Sequence, residues 1–126
     1  MLVGTGIDLI EIDRIGASVK RFGPRFLERV FTQKEIAYCS LKKKTADESF
    51  AARFAAKEAG AKAMGTGISR GVSWQEIEVV RYPGQRPELV FHGRAKEIAN
   101  HLGVRNISLS LTHNGSVAMA AVALEN

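Results

Sequence analysis

Apolar and polar residues alternate with a period of two at both ends of the chain, which is typical of strands. The first predicted strand covers residues 1–9, and one of its faces carries Val3, Thr5, Ile7 and Leu9. Its other face carries two glycines followed by an acid: Gly4, Gly6 and Asp8. Residues 107–112 and 117–124 predict two more strands, joined by a His-Asn-Gly turn. The two ends of the chain are therefore expected to form sheet.

Helical spacing predominates in the first half of the remaining chain. Three helices are predicted there, over residues 13–22, 33–41 and 46–64. Thr32 and Thr45 each begin a capping pattern ahead of a helix, and Gly65 ends the third helix because glycine readily adopts the left-handed conformation. Gly60 costs this alanine-rich helix about 1 kcal/mol relative to alanine, which indicates that another group approaches its backbone closely.

Between the third helix and the C-terminal strands, the pattern predicts a hairpin and one more helix. The hairpin strands are residues 77–81 and 89–91, separated by a Pro-Gly turn at residues 83–87, and the helix covers residues 95–102. The predicted order is β-α-α-α-β-β-α-β-β. Three helices ahead of most strands indicate the α+β class, with an antiparallel sheet packed on helices.

Composition limits the chain to one domain, residues 1–126, of ordinary globular character. A single cysteine excludes an intrachain disulfide and favours a reducing compartment. No apolar run reaches transmembrane length and no secretory leader is visible, so we expect a cytoplasmic protein without a membrane partner. The net charge of +5 favours polyanionic partners such as nucleic acid, an acidic protein or a phosphorylated small molecule.

Two carboxylates, Asp8 and Glu58, lie where packing of a strand on a helix could bring them together. Carboxylate oxygens without a His/Cys cluster favour a hard cation, Mg²⁺ or Mn²⁺ as a substitute. Magnesium binds through one or two carboxylates when substrate phosphates complete its shell. Glu58 and Lys62 share a helix face, although an exposed salt bridge with no function gives the same spacing.

Candidate phosphate-binding residues surround this helix. They are Arg53, Lys57 and Lys62 on the helix, residues 42–44 before it, Gly65 after it, and Gly84 and Arg86 in the Pro-Gly turn. His113 ends a predicted strand, where it is either a surface turn residue or a group that binds phosphate or moves a proton. The first helix also presents a basic face, with Arg14 and Arg21 on it and Arg25 just beyond; this is either a solvated surface or a docking site for an acidic partner.

Three blocks resemble the short bacterial holo-[acyl-carrier-protein] synthases, a family of 4′-phosphopantetheinyl transferases. They are GTGIDLIE at residues 4–11, RFAAKEAGAKAMGTGI at residues 53–68 and SLTH at residues 110–113. Their order and spacing agree with the family over essentially the whole chain. The resemblance implies the 4′-phosphopantetheinyl transferase fold and transfer of the phosphopantetheine arm of coenzyme A to a serine of apo acyl carrier protein, as in fatty acid biosynthesis, with release of 3′,5′-adenosine diphosphate.

The resemblance also implies roles for individual residues. Asp8 and Glu58 would hold Mg²⁺, and Glu58 is the candidate for accepting the serine proton. Lys62 and His113 would be catalytic together with Glu58 and would also contact coenzyme A, Lys62 by stabilising its phosphates. Further cofactor-binding positions would be Arg53, Gly65, Gly84 and Arg86. Arg14, Arg21 and Arg25 would dock the acidic carrier protein. The family further implies a homotrimer with active sites between subunits.

Two other readings remain open at this point. A basic module that binds RNA or an acidic protein without catalysis explains the charge but leaves Asp8 and Glu58 unexplained. No basic and aromatic strand pattern for stacking bases is visible, so a nucleic-acid partner is not expected. A phosphohydrolase would use the same acids and need no carrier protein.

Overall fold

The computed structural model describes all residues from 1 to 126. Its strands and helices are, in chain order, β1 (Leu2–Glu11), α1 (Ile12–Phe22), α2 (Pro24–Val30), α3 (Gln33–Ser40), α4 (Ala46–Met64), β2 (Ile77–Val80), β3 (Glu88–Phe91), α5 (Gly93–His101), β4 (Asn106–His113) and β5 (Val117–Glu125). The α+β class and the predicted order of strands are confirmed, and the structure adds the short helix α2. None of the helices is both long and apolar enough to cross a membrane.

The strands form two antiparallel sheets. The larger sheet has the order β1-β5-β4, which joins the two ends of the chain, and the smaller sheet is the β2–β3 hairpin. Helix α4 packs across β1 and β5. Buried side chains are found on nearly all sides of this helix. It is the centre of the hydrophobic core, which is why its sequence consists largely of alanine.

Glycines allow β1 to lie directly against the backbone of α4. A Cβ atom on Gly6 would lie 1.9 Å from the carbonyl oxygen of Ala59, and one on Gly4 would lie 2.1 Å from that of Ala63. Real Cβ contacts are never so short, so any other residue would push the strand off the helix. The glycine face predicted for β1 is thus the buried face, and Asp8, two positions after Gly6, follows on the same side.

The ends of α4 agree in part with expectation. Gly65 ends the helix with φ of 81°, in the left-handed conformation that was predicted. The capping pattern predicted at Thr45 is wrong, because the Thr45 side chain makes no cap hydrogen bond and a 3₁₀ turn, Lys43–Thr45, leads into the helix instead. The close approach predicted at Gly60 is made by the core side chains of Leu89 and Ile77, at 2.9 and 3.2 Å from a Cβ built there. Gly60 therefore serves packing and faces no ligand.

The apolar face of β1 is not covered within one chain. Ile7 and Leu9 remain 58% and 55% exposed, and Met119 of the neighbouring strand β5 is half-buried beside Leu9. This face of the larger sheet points away from α4. Contiguous exposed apolar surface of this kind is typical of a protein interface.

Candidate active site

Asp8 and Lys62 join β1 to the last turn of α4. Lys62 Nζ lies 2.9 Å from Asp8 Oδ1 and also donates a hydrogen bond to the Ile7 carbonyl at 3.2 Å. The Lys62 side chain is 52% exposed, whereas that of Asp8 is 16% exposed. The pair thus lies at the edge of the packed interface, where a ligand from solvent can reach both groups.

Glu58 lies one turn before Lys62 on the same side of α4, but the two side chains form no ion pair. Glu58 Oε1 accepts a hydrogen bond of 3.1 Å from the indole Nε1 of Trp74 instead. The exposed Glu58–Lys62 salt bridge, which the spacing alone allowed, is therefore not formed. Lys62 contacts Asp8 and follows Glu58 by one helical turn, and on this basis we call Asp8, Glu58 and Lys62 the carboxylate cluster.

The oxygens of this cluster fit a hard cation. Asp8 Oδ2 and Glu58 Oε2 accept no hydrogen bond within the chain, so each carboxylate keeps one oxygen for a ligand. The chain has no group of three or more His, Cys, Asp and Glu side chains that could hold a metal ion. Proteins usually bind Mg²⁺ through one or two carboxylates when substrate phosphates supply further ligands.

Lys57, which the sequence offered as a phosphate-binding residue, is not available for that role. Its side chain is fully buried, with Nζ 2.7 Å from Glu35 Oε1. Nζ also donates to the carbonyl oxygens of Trp74 and Ile77, at 3.0 and 2.7 Å. Burial lowers the pKa of Lys57 from its ordinary value, and the neighbouring Glu35 acts in the opposite direction. The lysine beside Glu58 is therefore an internal structural group.

Arg53 is buried in the wall of a second site on the opposite side of α4. The residue is only 5% exposed, its guanidinium lies 4.3 Å from the centre of the Tyr38 ring, and its Nε has no hydrogen-bond partner. It lines a cavity of about 350 Å³, whose charged or aromatic lining includes Tyr38, Lys42, Glu48, Arg53, Arg81 and His113. We call this cavity the basic cleft. A buried arginine with an unused donor is suited to an anionic ligand.

The basic cleft also changes the chemistry of its tyrosine. Burial raises the pKa of Tyr38, but a hydrogen bond with Lys42 and the positive charges of Arg81, Lys42 and Arg53 outweigh it. The pKa of Tyr38 consequently lies below its ordinary value of 10.0. The electrostatic field in the cleft thus favours negative charge.

His113 lies at the mouth of the basic cleft, at the end of β4 as predicted. Its Nδ1 is 3.1 Å from Glu48 Oε2, and its side chain is 45% exposed. Glu48 lies in the first turn of α4, ten residues before Glu58, which corresponds to about 15 Å along the helix axis. The structure therefore does not bring His113 to the carboxylate cluster of the same chain.

The two groups of candidate residues are separated around α4 and along it. Arg53 and Lys62 are nine positions apart on α4, which at about 100° per residue places them on opposite sides of the helix. Gly65 lies with the carboxylate cluster, at the end of α4 after Lys62. Within one chain, these residues therefore form two separate groups, which we call half-sites, and they cannot all contact one phosphate group.

The Pro-Gly turn lies near the basic cleft. Pro87 lines that cleft, whereas Arg86 and Arg105 line a neighbouring cavity of about 360 Å³. Gly84 is exposed, with φ of 75° and nothing within 4 Å of a Cβ built on it. The turn is thus open to solvent on the side where Arg86 lies.

The predicted docking residues occupy the surface of the first two helices. Arg14 and Arg21 are exposed on α1, and Arg25 is exposed on α2, because Gly23, with φ of 56°, ends the first helix between them. Arg25 lines a groove of about 290 Å³ together with Phe22, Phe26 and Arg29. The three arginines therefore lie on two helices and do not form a single helix face, and only Arg25 of the three lines the groove.

Several members of these sites were not expected from the sequence. Trp74 was missed although it is the only tryptophan in the chain, and Tyr38, Arg81 and Glu48 were missed in the basic cleft. They come from separate elements that only the tertiary fold brings together. No residue spacing in the sequence indicates such a contact.

Comparisons with known proteins agree with this architecture. A family model described as the 4′-phosphopantetheinyl transferase superfamily matches residues 4–122. The holo-[acyl-carrier-protein] synthase of Koribacter versatilis is 53% identical over 126 residues, which is the full length of both chains. The crystal structure of the holo-[acyl-carrier-protein] synthase from Neisseria meningitidis is 33% identical with a TM-score of 0.88, covering 100% of each chain.

A second structure adds a ligand. The holo-[acyl-carrier-protein] synthase of Helicobacter pylori, in complex with coenzyme A, is 34% identical with a TM-score of 0.84, and the match covers 96% of this chain and 99% of that one. Identities of this size over complete chains, together with the matching fold, carry the family assignment. The chain belongs to the holo-[acyl-carrier-protein] synthases of the 4′-phosphopantetheinyl transferase superfamily.

Proposed function

We propose that the chain transfers the 4′-phosphopantetheine moiety of coenzyme A to a serine of apo acyl carrier protein and releases 3′,5′-adenosine diphosphate. The observation that carries this proposal is the carboxylate cluster at the edge of α4, within a chain that matches holo-[acyl-carrier-protein] synthases over its full length. Carriers of fatty acid biosynthesis are the substrates we propose. The catalysis-free binding module is not supported by these relatives.

In the reaction, the serine oxygen attacks the phosphorus on the pantetheine side of the pyrophosphate. The new P–O bond forms as the phosphoanhydride bond breaks, and 3′,5′-adenosine diphosphate leaves with the electron pair. We assign the serine proton to the Glu58 carboxylate, reached directly or through a water molecule. Lys62, which is half exposed beside Asp8, places its ammonium where it can balance the negative charge of the phosphates.

Asp8 and Glu58 are the residues that would hold Mg²⁺, with Mn²⁺ as a substitute. The metal would neutralise negative charge on the pyrophosphate oxygens of coenzyme A. The support for this site is the donor set itself, two carboxylates that each keep one oxygen free at a solvent edge. Asp8 is further oriented by Lys62, whose ammonium takes its other oxygen.

We propose that the basic cleft takes the phosphate end of coenzyme A, through Arg53 and His113 and with Gly84 and Arg86 of the adjoining turn. The buried, unpaired Nε of Arg53 supports this assignment, as does the low pKa of Tyr38 among three cations. Gly65 would allow the ligand to approach the end of α4, because a Cβ-free residue there is open to solvent.

We further propose a homotrimer in which each active site combines the carboxylate cluster of one subunit with the basic cleft of the next. Two observations support it. The two half-sites of one chain are separated around and along α4, and the outer face of the larger sheet leaves Ile7 and Leu9 exposed. A second copy of the chain on that face would bury the apolar surface and complete the site.

The docking surface for the carrier protein is proposed on α1 and α2. Arg14, Arg21 and Arg25 give it positive charge that an acidic carrier complements. The groove containing Phe22 and Phe26 lies within this surface, and Phe22 is 50% exposed. An acidic partner that presents apolar side chains is therefore the best match.

The proposal is tested by the intact mass of apo acyl carrier protein after incubation with the chain, coenzyme A and Mg²⁺. We expect a gain of one phosphopantetheine, which a chelator and the variant Asp8→Ala both abolish. A gain that persists in chelator would keep the transferase and overturn the magnesium site. No gain across several carrier proteins, with the chain folded by circular dichroism, would overturn the transferase itself.

A further inference from the structure

Trp74 makes the only hydrogen bond that the Glu58 carboxylate accepts from the chain, at 3.1 Å from Nε1 to Oε1. Both side chains are half-buried, so the bond is partly shielded from water. Trp74 lies in a 3₁₀ turn, Trp74–Glu76, that follows the loop after α4. The contact therefore joins the loop back to the helix at the residue proposed to bind metal and accept a proton.

The backbone of Trp74 is held from inside the protein by Lys57, the residue preceding Glu58. An ammonium group has three donors, and Lys57 directs them to Glu35 Oε1 and to the carbonyl oxygens of Trp74 and Ile77, at 2.7, 3.0 and 2.7 Å. Glu35 is in turn held by the amide of Val79 at 2.8 Å. Lys57 is completely buried, so its carbonyl ligands cannot exchange it for water without opening the core.

The indole ring is held as well as its backbone. The ring centroid of Phe54 lies 6.2 Å from that of Trp74, at an interplanar angle of 30°. The guanidinium of Arg29 lies 5.8 Å from the Trp74 ring. The next residue, Gln75, donates to the Phe31 carbonyl at 3.2 Å and to that of Glu28. The indole N–H thus has a defined direction before any ligand binds.

A glutamate side chain has several rotatable bonds, and fixing them on ligand binding costs conformational entropy. The Trp74 N–H donates a hydrogen bond to Glu58 Oε1, and Oε2 accepts no hydrogen bond within the chain. Groups that hydrogen-bond a metal-ligating side chain fix its orientation, and their loss reduces metal affinity by about 10- to 100-fold. Trp74 donates such a hydrogen bond to Glu58, the residue proposed to ligate the metal.

We infer that Trp74 is a positioning residue that orients the Glu58 carboxylate, and that the buried Lys57–Glu35 pair holds Trp74 in place for this purpose. The inference rests on the proposed function, in which Glu58 binds Mg²⁺ and accepts the serine proton. The hydrogen bond between Trp74 and Glu58 is present in the ligand-free chain, so it can be observed without measuring catalysis.

The first test uses the indole N–H resonance in a ¹⁵N-correlated NMR spectrum. Trp74 is the only tryptophan, so the spectrum contains one such resonance. We expect it to move when Glu58 is replaced by Gln in the ligand-free chain, and to move in the unmodified chain on addition of Mg²⁺ with coenzyme A. The variant Arg29→Leu, which alters the ring environment but not the N–H partner, should retain the ligand-induced shift. An indole resonance at the same position in the unmodified chain and in Glu58→Gln would overturn the inference.

The second test separates positioning from packing. Trp74→Phe keeps an aromatic ring against Phe54 and removes the N–H with the smaller part of the indole, so we expect a folded protein. The Mg²⁺ concentration for half-maximal transfer should rise about tenfold, while KM for the carrier protein is unchanged. Unchanged Mg²⁺ dependence in Trp74→Phe would overturn the inference while leaving the transferase intact. If the unmodified chain transfers nothing, the proposed function fails, and the indole resonance still decides whether Trp74 contacts Glu58.

Discussion

Lys62 Nζ lies 2.9 Å from Asp8 Oδ1, and this ion pair links the end of α4 to β1 at a half-exposed position. Exposed pairs stabilise proteins by less than about 1 kcal/mol. We therefore expect Lys62→Met to change the free energy of unfolding by less than that amount. Its rate of phosphopantetheine transfer should fall by about 100-fold, the cost of removing one donor that stabilises developing negative charge.

Urea denaturation and a time course of carrier-protein mass measure the two quantities. Lys96→Met is the matched control, since Lys96 is exposed on α5 and belongs to neither half-site. A Lys62→Met protein as active as the control would contradict the role assigned to this ammonium.

Gly6 tests the close contact between β1 and α4. A Cβ on Gly6 would lie 1.9 Å from the Ala59 carbonyl oxygen, a backbone atom that cannot turn aside. Gly6→Ala should destabilise the fold by about 3 kcal/mol, as overpacking does in a well-packed core. Gly115→Ala provides the control, because a Cβ there meets nothing within 4 Å. Equal free energies of unfolding for the two variants would show that the strand does not pack as described.

Ionisation of the Glu78 carboxyl makes the free energy of unfolding depend on pH in the acid range. Burial raises its pKa, but hydrogen bonds from Thr32 and His92 and the positive charge of His92 outweigh this, so the pKa lies below the ordinary 4.5. The folded state then binds this proton less tightly than the unfolded state. The stabilising contribution of Glu78 is present above about pH 4.5 and is lost as the pH falls through the folded-state pKa.

The free energy of unfolding, measured from about pH 7 to about pH 3, should fall on the acid side, and the fall should be shallower in Glu78→Gln. Glu88→Gln is a suitable comparison because Glu88 is exposed on β3. Identical acid slopes for the unmodified chain and Glu78→Gln would rule out the assigned contribution.

The exposed apolar face of β1 predicts assembly. Ile7→Lys places a charge in the centre of the surface that the second copy would cover, where burial of an unpaired charge is costly. Analytical ultracentrifugation should show a trimer for the unmodified chain and a smaller species for Ile7→Lys, with loss of coenzyme A binding. Leu102→Lys, at the end of α5 and 39% exposed, should remain trimeric. A monomeric unmodified chain that binds coenzyme A would refute the shared site.

Local patterns predicted the strands and the glycine that ends α4, because these depend on periodicity and on the backbone freedom of glycine. Helix α2 escaped the prediction because a Gly-Pro pair, here at residues 23–24, is typical of a break between elements, whereas proline at the first position of a helix is also favourable. The periodicity of β1 likewise could not show which face is buried. The face with two glycines has little side chain, and only close packing of α4 on it makes it the core face.

The same limit applies to the site. Lys57 and Lys62 look equivalent as helix lysines, yet one is fully buried against Glu35 and the other half exposed beside Asp8. Their partners lie 22 and 54 residues away along the chain. Trp74 and Glu58 are 16 residues apart across an intervening loop. Contacts of this kind depend on tertiary packing and leave no periodic trace in the sequence.

The central claim is that one subunit supplies the carboxylate cluster and its neighbour the basic cleft. Lys62→Ala and His113→Ala, carrying different tags, can be co-expressed and purified through both tags in succession. Each variant alone should be inactive in the carrier-protein mass assay. Mixed assemblies should regain activity, since one interface in each mixed trimer, about a third of all its interfaces, joins two unmodified half-sites. Mixed assemblies as inactive as the single variants would contradict the claim and place the whole site within one chain.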